Sequence, residues 1–270
     1  VFGFVAGAWA ISQSVGAAVV VGIALGVPGV VFLAFLGGMF IWSGFDYRGE
    51  PLPYMWPCVS SHYGVMDTGG IPKDGYWYHR AMFKPEEPVL HLLPHWNLAK
   101  PRGAPVHVRA LTNMDRVDLF VNGHPQGRRD LQPGDMADWT VPWEPGELLA
   151  VGYRDGIERA RTLVRTTGRA AAVRLECDRT TLKADGMDAV VVRASVVDRA
   201  GLVVPTATHL IRFAVSGPAR LIGVGNGNPT SHEADKADRR KAFHGWCVAI
   251  VQTTGRRGRV VISGRAAGLS

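Results

Sequence analysis

Val117-Asp118-Leu119-Phe120-Val121-Asn122-Gly123 carries apolar side chains at every second position and then runs into Asn-Gly. In an extended chain successive side chains point to opposite faces, so this pattern buries one face and wets the other. Asn-Gly tolerates the positive φ angles of a two-residue hairpin turn, which predicts that the strand reverses at once. Val106-His107-Val108-Arg109-Ala110 upstream alternates in the same way, and Tyr153-Arg154-Asp155-Gly156 downstream supplies a second hairpin turn. Residues 89–167 therefore read as a small antiparallel sandwich of about seven strands, with Trp139 and Trp143 in its core.

The pattern repeats beyond a Thr-Thr-Gly-Arg joint at 166–169. Residues 190–196, 210–215 and 248–251 read as strands, and 198–201 and 255–258 as turns, so 170–270 is predicted to form a second sandwich. Its polar, turn-rich stretch 225–245 is long enough to be a functional loop or a covering flap. Helical periodicity is almost absent from both blocks.

Charge is distributed unevenly. Of the 270 residues, none of the first 45 is Asp, Glu, Lys, Arg or His, so the formal charge of +7 belongs to the remainder. The basic residues are scattered through strand-like segments, and the denser groups at 128–129, 239–241 and 256–259 sit beside turn residues. They read as solvated loops, and no nucleic-acid partner is expected. The cysteines, Cys58, Cys177 and Cys247, lack the spacing of a zinc or redox motif and read as small apolar residues. Residues 15–37 form a 23-residue uncharged run, long enough for a bilayer but broken by Pro28 and lacking flanking basic residues. A membrane span, a buried barrel segment and a displaced reading frame or truncation all remain open for it; any membrane contact would run through this stretch.

Between these regions lies an aromatic segment. Five of the six tyrosines fall between positions 47 and 78. Met39-Phe40-Ile41-Trp42 is apolar enough for a buried strand, and Ser43-Gly44-Phe45-Asp46-Tyr47-Arg48-Gly49-Glu50-Pro51 then turns polar. Barrel enzymes keep ligand-contacting groups in such strand-end loops. Sugars suit the composition, because aromatic faces cover C–H patches while carboxylates accept hydroxyl hydrogen bonds.

The stretch from Phe40 to Pro51, followed by Trp56-Pro57, Ser60-Ser61, Tyr63-Gly64, Asp67, Gly70-Ile71-Pro72-Lys73-Asp74 and Tyr76-Trp77-Tyr78, resembles the end of the catalytic barrel in glycoside hydrolase family 2, β-galactosidase type. His91-Leu92-Leu93-Pro94-His95-Trp96-Asn97, Thr112-Asn113 and the opening hairpin resemble the immunoglobulin-like domain that follows. Leu182-Lys183-Ala184-Asp185-Gly186 and the stretch from Gly223 to Glu233 resemble the family's extra carboxy-terminal domain.

The resemblance implies a mainly β fold: a partial (β/α)8 barrel end followed by two immunoglobulin-like β-sandwiches. Residues 1–31 are an apolar segment of undecided status, 32–88 the barrel end, 89–168 the first sandwich and 169–270 the second. It also implies retaining hydrolysis of a β-galactoside or similar neutral β-glycoside by two glutamates roughly 5 Å apart. Both would precede the barrel-end motif, and no Glu occurs before Glu50. The chain is therefore expected to be inactive alone, with no catalytic residue, metal or cofactor assigned to it. Trp42 is implied at the floor of the sugar pocket, against the plainer reading of a core tryptophan. Asp46 and Glu50 are candidates for hydroxyl binding, against salt bridges to Arg48 or Lys73. Related glucuronidases hold the substrate carboxylate with an Asn-Xaa-Lys element near 60–63; the absence of Lys between Phe45 and Pro72 points to a neutral sugar. The family favours an extracytoplasmic location, and the oligomeric state is open.

Other clusters have plainer explanations. His91 and His95 share a four-residue spacing, but Pro94 argues against the helix that would join them on one metal. Asp185 and Asp188 read as turn caps. His232, Glu233, Asp235 and Asp238 form a polar group that reads as loop solvation, with some functional promise. Two rival readings remain: a non-catalytic carbohydrate-binding or accessory β-sandwich protein, and a membrane-tethered adhesion-like protein anchored by 15–37.

Overall fold

The computed structural model describes residues 41–270. The chain divides into two compact units, Val1–Trp42 and Ser43–Ser270. Of the first, only Ile41 and Trp42 are described; neither lies in a strand and both are exposed. At its described end this corrects the expected strand 39–42, since neither Ile41 nor Trp42 is in a strand. Met39, Phe40 and the apolar run 15–37 lie outside the described residues. Among the described residues no helix is long and apolar enough to cross a membrane.

The second unit is mainly β. Its first sandwich pairs β1 (Leu90–Leu93), β2 (Pro105–Thr112) and β5 (Met136–Pro142) in one sheet, order β1-β2-β5. The opposing sheet runs β4-β3-β6-β7, built from β3 (Arg116–Val121), β4 (His124–Asp130), β6 (Glu147–Arg154) and β7 (Ile157–Arg165). Asn122 and Gly123 turn β3 into β4 with φ of 49° and 80°, and Asp155 and Gly156 turn β6 into β7 with 54° and 75°. These are the left-handed conformations that the two dipeptides predict. Val117, Leu119 and Val121 of β3 face Val106, Val108 and Ala110 of β2 across one core, which also buries Trp96, Trp139 and Trp143. The buried Trp96 indole N–H donates to the Glu144 carbonyl at 2.8 Å, so its polar atom is not stranded.

The second sandwich sets the sheet β11-β13-β9-β8 against β12-β10-β14. The strands are β8 (Ala170–Cys177), β9 (Ala189–Asp198), β10 (Leu210–Ser216), β11 (Ala219–Gly225), β12 (Arg239–Lys241), β13 (Trp246–Thr253) and β14 (Val261–Ala266). Val192, Ala194 and Val196 of β9 and Ala249 and Val251 of β13 meet Ile211 and Phe213 of β10 in its core. Cys247 is buried here, and burial pushes its thiol up to about 12; Cys58 is buried too, whereas Cys177 is exposed at a strand end and does not pack as an apolar residue.

Two of the basic groups also depart from expectation. Arg128 and Arg129 lie on β4 itself, where Arg128 pairs with Asp118 at 3.2 Å and Arg129 rests over the Trp139 ring. Arg240 is 2% exposed, so it is no solvated loop residue. Its charge is met at the Asp235 carboxylate (3.1 Å), and its guanidinium also donates to the Glu233 carbonyl (3.0 Å) and the Asn226 side-chain oxygen (3.4 Å).

Ahead of the sandwiches, residues 43–72 are held by isolated bridges, Phe45 to Met66, Arg48 to Ser60 and Met66 to Pro72, and no barrel closes among the described residues. One helix follows, α1 (Asp74–Phe83), with Asp74 in its first turn and Arg80 in its last, each complementing the helix dipole. It packs on β1 and β2, with Ala81 buried. Pro85 lies one residue beyond the closing Lys84, where the chain cannot continue as helix.

Candidate functional site

Residues 43–73 have little regular structure, so their shape depends on polar side chains. Asp46 is the first anchor: its carboxylate accepts from the Gly64 N–H at 2.8 Å and takes both oxygens to the Lys73 ammonium at 3.0 and 3.1 Å. Lys73 also donates to the His62 carbonyl at 3.1 Å, tying the start, middle and end of the segment together. Gly64 must be glycine here, since a Cβ would lie 2.0 Å from the Asp46 amide nitrogen.

Asp67 is the second anchor. Its Oδ1 accepts from the N–H groups of Gly69 and Ile71 at 2.8 and 2.9 Å, closing the turn before Pro72. Burial raises its pKa, and the two backbone donors only partly offset that rise. Cys58 Sγ lies 3.2 Å from His62 Nε2, and the His62 ring packs on Tyr54.

The same segment is held from the carboxy-terminal sandwich. Arg48 forms a two-pronged pair with Asp235 at 3.0 and 3.1 Å, and the Val59 N–H donates to the Pro229 carbonyl at 2.9 Å. The Thr68 hydroxyl donates to the Asn226 carbonyl at 2.8 Å. His232 donates from Nε2 to the Pro57 carbonyl at 3.0 Å and sets its ring 4.4 Å from that of Trp56. At Gly227 a Cβ would collide with the Asp67 carboxylate, so the Asp67 side chain packs on the Gly227 backbone only because that position carries no side chain. The loop read as solvation is thus corrected to a clamp: of its polar group, His232 and Asp235 face the 43–73 segment, and buried Arg240 holds the loop in shape behind them.

The expected sugar-binding residues fall differently. Trp42 belongs to the first unit and is 72% exposed. Asp46 makes the salt bridge to Lys73, and its side chain is only 9% exposed. Glu50 is exposed, adopts a positive φ of 47°, and accepts from the Tyr47 hydroxyl. In sequence Trp56 stands out only as part of the family motif; its Trp-Pro context gives no hint that it meets a histidine 176 positions later.

The histidines do not converge on a metal. His91 stacks on Trp77 with ring centres 4.9 Å apart and lies 3.2 Å from Asp74, whereas His95 Nδ1 accepts from the Asn97 N–H. Burial, then the neighbouring His244, lowers the His95 pKa, favouring the neutral ring. Asp185 and Asp188 cap a turn: Asp185 accepts from the N–H groups of Met187 and Asp188, and Asp188 from that of Lys183. A cleft of about 1170 Å³ opens where Asp46, His62 and Lys73 face His95, His244 and Trp246.

Comparison with known proteins places this arrangement. The profile for glycoside hydrolase family 2 C-terminal domain 5 matches residues 173–270, and one described as a domain of unknown function (DUF4982) matches residues 103–160. The chain is 40% identical to beta-galactosidase BoGH2A of Bacteroides ovatus over 238 residues, covering 87% of this chain and 28% of that protein. It is 31% identical to a beta-glucuronidase of Formosa agariphila, over 62% of this chain and 17% of the relative. A solved glycosyl hydrolase family 2 member from Bacteroides cellulosilyticus superposes with a TM-score of 0.82 at 27% identity, over 90% of this chain and 36% of that one. The chain thus spans less than a third of the curated relatives it matches, and it belongs to glycoside hydrolase family 2, corresponding to the carboxy-terminal part of its members.

Proposed function

We propose that this chain forms one wall of the sugar site of a retaining β-glycosidase of the β-galactosidase type and supplies substrate-binding groups but neither catalytic glutamate. The observation that carries this reading is the 40% identity to the B. ovatus beta-galactosidase, over a length that necessarily includes the 43–73 segment. In this reading residues 32–88 end the catalytic barrel, and 89–168 and 169–270 are its two following β-sandwich domains. Trp42 covers the C–H face of the sugar. Glu50, exposed and steadied by Tyr47, accepts a sugar hydroxyl. Asp46 acts one step back: with both oxygens on Lys73, it fixes the loop that presents Glu50. The absence of Lys between Phe45 and Pro72 favours a neutral hexoside over a glucuronide.

Two measurements test this. The genomic sequence upstream of the Phe32 codon, read in all frames, should encode an Asn-Glu pair and a later Glu on strand-like segments. The complete enzyme should then cleave a chromogenic β-galactoside, and Trp42→Ala should lower its kcat/KM by at least about tenfold. A complete enzyme with no β-glycosidase activity would overturn the reading.

A further inference from the structure

Trp56 is 77% exposed. One side of its ring meets the His232 imidazole at 4.4 Å with the planes tilted by 53°. His232 is fixed in turn by the Pro57 carbonyl, the residue next to the tryptophan. A carbonyl can only accept, so His232 Nε2 carries the proton in that bond, and Nδ1 is left as an acceptor in the neutral ring. The loops bearing the two rings are latched by the Val59–Pro229 backbone bond and by the two-pronged Arg48–Asp235 pair. An exposed indole beside an imidazole edge combines the two elements a pyranose needs: a flat apolar face for its C–H patch and an acceptor for a hydroxyl at the rim.

We propose that Trp56 and His232 form a composite sugar subsite, contributed jointly by the barrel end and the carboxy-terminal sandwich, that binds a neutral pyranose. This rests on the glycosidase reading and extends it: the carboxy-terminal sandwich becomes part of the carbohydrate-binding surface and sets substrate preference beyond the cleaved residue. The pyranose packs a C–H patch on the exposed Trp56 indole, and a hydroxyl at the indole rim donates to His232 Nδ1.

The test uses the intact 270-residue chain, which needs no turnover. The indole N–H resonance of Trp56, assigned by its disappearance in Trp56→Phe, is followed by NMR during titration with methyl β-D-galactopyranoside and with lactose. The expected result is a saturable shift. In calorimetric titrations with the same sugars, which need no indole signal, Trp56→Ala should weaken binding by about tenfold, Trp56→Phe by less, and His232→Ala by several-fold. Because Trp56 lies outside both cores, the thermal midpoint of Trp56→Ala should match that of the parent chain, which separates lost binding from lost folding. Absence of saturable binding, or binding indifferent to Trp56→Ala, overturns the subsite. Activity of the complete enzyme is read separately, so the subsite and the glycosidase assignment can fail independently.

Discussion

The first sandwich and the 43–73 segment are neighbours in sequence but owe their shapes to different physics. The sandwich is built from alternating apolar residues whose burial removes Val108, Val117, Leu119 and Leu148 entirely from water. The 43–73 segment exposes Leu52, Met55 and Trp56 and is shaped by carboxylates, by backbone bonds and by a loop about 170 positions downstream. Local pattern suffices for the first kind of structure. The second exists only once distant parts of the chain have folded, and it is the part that carries the candidate chemistry.

Removing apolar contacts should therefore damage the sandwich most. Leu119→Ala, at a site with no solvent exposure, is expected to cost about 2–5 kcal/mol in urea denaturation, since it combines lost burial with a cavity. A loss under 1 kcal/mol, well short of that range, would mean that this core is not the main support of the sandwich.

In the other region the sensitive contact is ionic. Lys73→Met should leave the Asp46 carboxylate without its cation, at a cost of about 1–2 kcal/mol, because Asp46 is largely buried while Lys73 is one-third exposed. The loss should appear as faster amide exchange at Gly64 and Ser61 while the Val108 and Leu119 amides keep their protection. Equal loosening of both regions would erase the contrast.

The smallest effects should distinguish the regions by the sign of their pH dependence. Asp138 on β5 is held below the usual carboxylate range by hydrogen bonding to Arg109. A depressed pKa in the folded state stabilises at neutral pH, and that stability is lost as pH falls through the folded value. Asp67 is shifted upward by burial, so its contribution is present at low pH and lost as pH rises through its raised pKa. Asp138→Asn should flatten the acid side of the stability curve. Asp67→Asn, whose amide oxygen still accepts from Gly69 and Ile71, should leave neutral-pH stability unchanged or slightly higher. Urea midpoints across the acid range measure both, and slopes of the same sign would contradict the assignments.

These differences explain what could be read from the residues alone. The Asn122-Gly123 and Asp155-Gly156 turns and the alternation around them fix β3, β4, β6 and β7 locally, so the sandwich was legible. Strand alternation likewise located β9, β10 and β13. The burial of Arg240 is not legible in the sequence: it sits between the charged Arg239 and Lys241, and nothing local indicates that the middle residue of β12 turns inward to Asp235 and Asn226. The clamp is hidden for the same reason: His232 and Asp235 resemble any polar loop until the fold brings Trp56 and Arg48 to them. The short helix α1 has a weak apolar stripe and in sequence reads only as the end of the aromatic segment.

The central claim is that the carboxy-terminal sandwich holds the 43–73 segment in its folded shape, and hydrogen exchange on the intact chain tests it most directly. In an Arg48→Ala/His232→Ala double variant, which cuts both side-chain links but leaves Asp235 on Arg240, the amides of Asp46, Gly49, Val59 and Ser61 should exchange about tenfold faster, while those of β3 and β9 remain as in the parent chain. Undiminished protection across residues 43–73 in that variant would contradict the claim.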